Sequence, residues 1–274
     1  MCVSFAQQLL TFFDSDMTTP TPYGWFHLLS LALTALVTVW VCIRGKNDSH
    51  DKVRRAVFWV AVTVALLEVY KQINYTFQVD GTGIAADYQW YAFPWQFCST
   101  PMYAGLLAGI FRRGKVHDAL CAYLATYAVF AGLCVMLYPV DIYIGTIGIN
   151  IQTTICHCSM IVIGAYLFAT GHVKLEHRTA LKAIPVFAAA VGIAVVLNEV
   201  AYAVGIVPEE TFNMFFGSPH CDPSLPVYSL VQVVVPYPWC LVIYIAAFSV
   251  AAYLILLIAM GIHRLAHRAK AAVS

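Results

Sequence analysis

Residues 107–120 read LAGIFRRGKVHDAL. An apolar run stops at Phe111, Arg112, Arg113, Gly114 and Lys115 follow, and apolar sequence resumes almost at once. If residues 92–138 formed a single buried segment, three cations would lie in its middle. If they form two membrane spans, the tetrapeptide is a tight turn at a membrane surface. The rest of the chain favours the second reading. Of 274 residues, 61% are hydrophobic and only 11% charged, with a mean hydropathy of +0.76, far from the roughly one-quarter charged composition of soluble domains. About 20 helical residues cross a ~30 Å hydrocarbon core. Apolar runs of that order lie near 26–43, 56–77, 92–111, 118–138, 148–170, 183–206 and 228–261. The expected architecture is all-α and polytopic, seven transmembrane helices in a single domain spanning 1–274.

Positive charge tests this partition, because Lys and Arg are retained on the cytoplasmic side. Arg44, Lys46, Lys52, Arg54 and Arg55 follow the first span, and Arg112, Arg113 and Lys115 follow the third. Lys174, Arg178 and Lys182 follow the fifth, and Arg264, Arg268 and Lys270 the seventh. The alternate loops and the N-terminal tail carry Asp14, Asp16, Asp80, Asp87, Asp141, Glu209, Glu210 and Asp222 but no Lys or Arg. The pattern predicts an outside N-terminus and an inside C-terminus. No basic n-region precedes the first span and no small-residue cleavage site follows it, so it does not read as a removed signal peptide. Most of the nine cysteines fall within or at the ends of spans, with no CxxC pair, and imply no disulfide framework.

The remaining basic residue, Lys71, lies inside the second span, three positions after Glu68 and on the same helical face. Ionisable groups at membrane depth face protein or a wet cavity. This pair reads either as a neutralised structural contact or as a site for a lipid phosphate. At ~1.5 Å per residue, Lys71, Glu68, Cys98, His157, Asn198 and Glu199 all fall roughly 9 to 13 Å from the outer ends of their spans. His27 lies just above them, at the mouth of span one. Polar residues from four helices at one depth are what a site built in a helical bundle requires.

Within that layer Cys98 and His157 are the natural chemical pair. A thiol becomes a nucleophile when a neighbouring base holds it as thiolate, and a histidine can take that proton and return it. A buried cysteine alone is by default a small inert hydrophobe; the shared depth is what sets this one apart. Pro94 and Pro101 each remove a backbone donor and are expected to loosen the third span around Cys98, making FPWQFCSTP (93–101) a cavity wall. Cys156, His157 and Cys158 project ~100° apart and cannot share one ion. A site from His27, Cys98 and His157 is the remaining metal arrangement. No metal or cofactor is expected.

The seven-span layout, FPWQFC opening the third span, a histidine in the fifth, and LNEVAYAVG followed by FNMFFGSPHCDPSLP together resemble the YwaF-type bacterial integral membrane family. That family is similar to a eukaryotic transmembrane acyltransferase that remodels ether phospholipids through a Cys/His pair, and more distantly to the androgen-induced membrane hydrolases. The resemblance places the nucleophile on Cys98 and the histidine on His157, and implies a bacterial cytoplasmic membrane. Gln96 stands where the bacterial pattern commonly has histidine.

The expected activity is therefore lipid acyl transfer or ester hydrolysis. Cys98 forms an acyl-thioester, with His157 as base. Gln96, Asn198 and Glu199 serve as oxyanion or orienting groups. Lys71, Glu68 and His27 face the head group. The expected partners are a membrane phospholipid or lysophospholipid and the bilayer itself; no nucleic acid is expected, and the sequence specifies no oligomeric state. The rival is a transporter or a non-retinal seven-helix sensor using the same outer-half cavity. Residues 228–261 contain no lysine for a Schiff base, which argues against a retinal protein.

Overall fold

Apolar segments in lipid must satisfy their backbone internally, which makes them helices. The computed structural model describes residues 4–79, 83–140, 142–205, 207, 211–222, 225 and 227–271. Asp80, Asp141, Glu209, Glu210 and the side chain of Lys270 lie outside the described residues. In chain order the helices are α1 (Phe5–Phe13), α2 (Trp25–Arg44), α3 (His50–Asn74), α4 (Thr100–Ile110), α5 (Lys115–Tyr123), α6 (Val129–Leu137), α7 (Ile147–Ala169), α8 (His177–Val204), α9 (Tyr228–Val234) and α10 (Trp239–Ala271). A π-helical turn, Leu124–Ala128, joins α5 to α6 without a break. A small antiparallel hairpin, β1 (Phe77–Val79) and β2 (Ile84–Ala86), lies between α3 and α4.

Among the described residues, six helical segments are long and apolar enough to cross a membrane: α2, α3, α5–α6, α7, α8 and α10. The expected third span departs from this. Only its second half is helical, the 11 residues of α4, about 16 Å at 1.5 Å per residue. Pro101 is the cause. It sits in the first turn of α4, where a missing N–H is tolerated, and it disfavours a regular helix continuing through the residues before it. Pro101 thus starts a helix rather than loosening one from within, and Phe93–Ser99 runs as turns. In place of the expected third span, residues 93–110 form turns followed by a half-helix. The expected seventh span is likewise divided, at Pro236 and Pro238, into α9 and α10.

Contacts between loops fix which ends lie together. Tyr166, near the end of α7, donates to Asp48 before α3 at 2.7 Å. Arg54 reaches the Gly109 carbonyl at the end of α4, and Tyr253 of α10 pairs with His177 at the start of α8 at 2.8 Å. These segments carry the basic residues. At the opposite end, Tyr70 of α3 donates to the Phe13 carbonyl at 2.6 Å and Asp16 bridges Thr146.

The α5–α6 rod is the centre, with 67% of its most apolar window buried, against 17–44% for the other spans. Tyr123 and Tyr127 stack face to face, Tyr127 stacks on Phe187, and Phe187 on Tyr244 and Phe248. Small residues let α7 close onto this rod. A methyl on Gly132 would lie 2.7 Å from the His157 carbonyl, and one on Gly164 would collide with Val129.

Candidate active site

The site begins on α3. Glu68 is buried and its Oε1 receives Lys71 Nζ at 2.8 Å and Gln72 Nε2 at 2.7 Å. Gln72 also donates to the Ala92 carbonyl at 2.8 Å and accepts from the Tyr88 hydroxyl at 2.6 Å. Burial pushes Tyr88 up to about 12, so the phenol stays protonated and donates. One carboxylate therefore neutralises a lysine and anchors, through Gln72, the turn that leads into Phe93–Ser99. Gln72 and Tyr88 escaped sequence reading; the i,i+4 spacing of Glu68 and Gln72 was the only signal.

Every side of the irregular segment is fastened. Tyr103 donates to the Pro94 carbonyl at 2.9 Å, and Trp95 Nε1 donates to the Ala190 carbonyl at 3.1 Å. Phe97 packs among Phe187, Phe215 and Phe248. Cys98 is thereby held on the last turn before α4. It lines a cavity of about 30 Å³ with Val57, Ala61, Pro101, Cys156 and Ser159, room for about one water.

His157 projects from the middle of α7 and is buried. Its Nδ1 lies 2.7 Å from the Thr153 carbonyl. A carbonyl only accepts, so Nδ1 carries the proton and the neutral ring presents its lone pair at Nε2. That nitrogen has no hydrogen-bond partner among the described residues. Lys71 is close enough to act electrostatically on both Cys98 and His157. No hydrogen bond joins Cys98 to His157 in this structure. Cys156, the residue before the histidine, approaches Cys98 instead, with its sulfur 3.7 Å from the Cys98 carbonyl.

The other expected site residues separate into different surroundings. Gln96 donates to the Asn213 carbonyl at 3.1 Å and accepts from the Phe215 amide at 3.0 Å. Asn198 is buried, donates to the Met214 carbonyl at 3.1 Å and accepts from the Met214 amide at 2.8 Å. Each amide spends its oxygen and one N–H on the 213–215 turn, which the two fix beneath Phe97, so both side chains act first as clasps on that turn. Glu199 points away from Cys98 to His220, 3.1 Å from its Nε2, whose ring stacks on Tyr202 at 3.6 Å. His27 is fully buried with both nitrogens engaged: Nδ1 accepts from the Tyr23 amide at 2.9 Å and Nε2 donates to the Met136 carbonyl at 2.8 Å. It ties the start of α2 to the end of α6 and has nothing to offer a head group. Of the expected layer, Glu68 and Lys71 are joined directly, and Cys156 rather than His157 is the residue of α7 against Cys98.

An open groove of about 410 Å³ runs over the α3–α4 seam, bounded by Ala65, Glu68, Gln72, Pro94, Met102 and Leu106. Met102 lines both this groove and the Cys98 cavity. Polar groups lie at its Glu68 and Gln72 edge and apolar ones elsewhere.

The family model of the TMEM164 family matches residues 22–258. No curated protein and no solved structure matches the chain.

Proposed function

Because the chain belongs to the TMEM164 family, and is on that ground and its apolar helices an integral membrane protein, we propose that it acts on the lipid around it as an acyltransferase working on phospholipid acyl chains. The observation that carries this reading is the fixed tautomer of His157. Its Nδ1–H is committed to Thr153, which leaves a base at Nε2 on the helix that also brings Cys156 against Cys98.

In the proposed cycle His157 Nε2 takes the Cys98 proton, and the thiolate attacks the ester carbonyl of a phospholipid. The carbon–oxygen bond breaks, His157 returns the proton to the departing lysophospholipid oxygen, and the acyl group remains as a thioester on Cys98. A second lysophospholipid hydroxyl, deprotonated by His157, then collects it; water in its place makes the reaction a hydrolysis. Apo active sites often hold these hydrogen bonds long and tighten them with substrate, which accommodates the absent Cys98–His157 contact. The Cys98 backbone amide, or the second N–H of Gln96 or Asn198, supplies the oxyanion donor. Lys71 attracts the phosphate, Glu68 moderates its charge in the empty site, and the α3–α4 groove accommodates the acyl chain. The positive-inside distribution supports a site in the outer half of the membrane.

The test is to incubate the purified protein with a phospholipid carrying a long-chain acyl probe and to look by mass spectrometry for a thioester. Acylation on Cys98, lost in Cys98→Ala and greatly slowed in His157→Ala, is the expected result. Acylation on Cys156 would move the nucleophile. Normal acyl turnover by Cys98→Ala protein refutes the mechanism and leaves the cavity as a ligand-binding site for transport or sensing.

A further inference from the structure

At the basic end of the bundle, away from Cys98, three histidines from three distant segments converge. His50 opens α3, His117 lies in the first turn of α5, and His172 is in the α7–α8 connection. One ligand nitrogen from each lies within 4.8 Å of those of the other two. The ring centroids are 5.2, 4.3 and 5.1 Å apart. We propose that His50, His117 and His172 form a binding site for a zinc-type divalent transition-metal ion that clasps α3, α5 and the α7–α8 connection together.

The protonation pattern carries the argument. His117 is buried, and its Nδ1 lies 3.0 Å from the Ala108 carbonyl. The carbonyl requires the proton on Nδ1, so His117 turns the lone pair of Nε2 inward. A metal-ligating histidine is oriented in this way, its far nitrogen donating to a carbonyl. His172 Nε2 stands 2.8 Å from that lone pair, and the Cys121 sulfur 3.5 Å from the same nitrogen. The second, independent observation is on His50. Its Nδ1 is buried and has no hydrogen-bond partner, an arrangement that costs free energy unless something fills it.

Geometry and ligand type agree. Zinc–nitrogen bonds of about 2.0 Å place tetrahedral ligand nitrogens roughly 3.3 Å apart. The His117–His172 pair needs to open by about half an ångström from its 2.8 Å contact, and the three ligand nitrogens all lie within 4.8 Å of one another. Three neutral imidazoles suit zinc, copper, nickel or iron rather than calcium or magnesium. They leave a fourth coordination position that Cys121 or water can take. Arg54 and Arg113 are the nearby cations and Asp51 and Asp118 the nearby anions acting on the cluster. Arg54 is drawn off by the Gly109 carbonyl and by Asp51, 3.7 Å away. The site is independent of acyl transfer and lies at the other end of α3.

The probe is cobalt(II), whose four-coordinate visible absorption is far stronger than its six-coordinate one. Full-length protein in detergent is stripped with a chelator, back-loaded and titrated. The expected result is one cobalt per chain with four-coordinate absorption, displaced by zinc, and an affinity reduced at least about 100-fold in both His50→Gln and His172→Gln. Failure of the wild type to take up cobalt overturns the proposal. So does unchanged stoichiometry in both variants, which would put the ion on other histidines such as His177 or His263. Should either variant misfold, the wild type decides alone: zinc must raise its unfolding temperature and a chelator must reverse the rise.

Discussion

Replacing Asn198 by Ala separates two roles that the sequence could not tell apart. The side chain makes two hydrogen bonds, to the Met214 amide and the Met214 carbonyl, at 2.8 and 3.1 Å, and Met214 is fully buried. Truncation leaves a donor and an acceptor without partners or water. An unsatisfied buried group costs about 1–3 kcal/mol, so the expected loss is about 2–6 kcal/mol. Gln96→Ala removes the other two clasps on the same turn. Its loss is smaller, about 1–3 kcal/mol, because the residue is half-buried. The double variant should lose less than the sum, since a turn released by one substitution no longer rewards the other. The assay is thermal unfolding in detergent, with acyl turnover measured per folded molecule. If both variants unfold at the wild-type temperature while turnover falls 10²–10³-fold, the signature of a lost oxyanion donor, the structural role assigned to both residues is wrong.

Lys71→Met leaves the buried Glu68 carboxylate uncompensated and should cost about 3–5 kcal/mol; Glu68→Gln with Lys71→Met should recover most of that in an unfolding experiment. Gly132→Ala drives a methyl to 2.7 Å from the His157 carbonyl and should cost about 1–3 kcal/mol while lowering turnover, because α7 must shift with the base it carries; unchanged kinetics would show that α6 does not position His157. Cys156→Ala should retain acyl transfer with a stability loss on the order of 1 kcal/mol, and abolition of transfer would make Cys156 part of the chemistry. For orientation, a cysteine at Gln78 in the exposed hairpin should react with an impermeant thiol reagent on intact cells and one at Lys115 should not, both in a Cys134→Ser background.

The composition and the one-sided distribution of Lys and Arg were enough to specify a helical bundle, the positions of most spans and the grouping of four basic segments at one end. These follow from requirements that each segment meets alone: enough apolar length, an internally bonded backbone and charge at a surface. Glu68 and Lys71 were legible as a pair because three residues on one helix fix their proximity. The backbone of the expected third span was not, because hydropathy counts FPWQFCST as apolar while Pro94 and Pro101 shape its backbone, and the turned conformation is held by long-range clasps to Ala190, Asn213 and Phe215 as well as by Tyr103 and Gln72. Depth along a helix was readable, but direction around its axis was not. Asn198 and Glu199 therefore shared a depth in sequence, yet Asn198 turns to Met214 and Glu199 to His220 in three dimensions. No sequence pattern links the histidines at 50, 117 and 172. Only the packing of α3, α5 and the α7–α8 connection brought their nitrogens together, since contacts between segments more than 50 residues apart are set by the bundle and not by any local pattern.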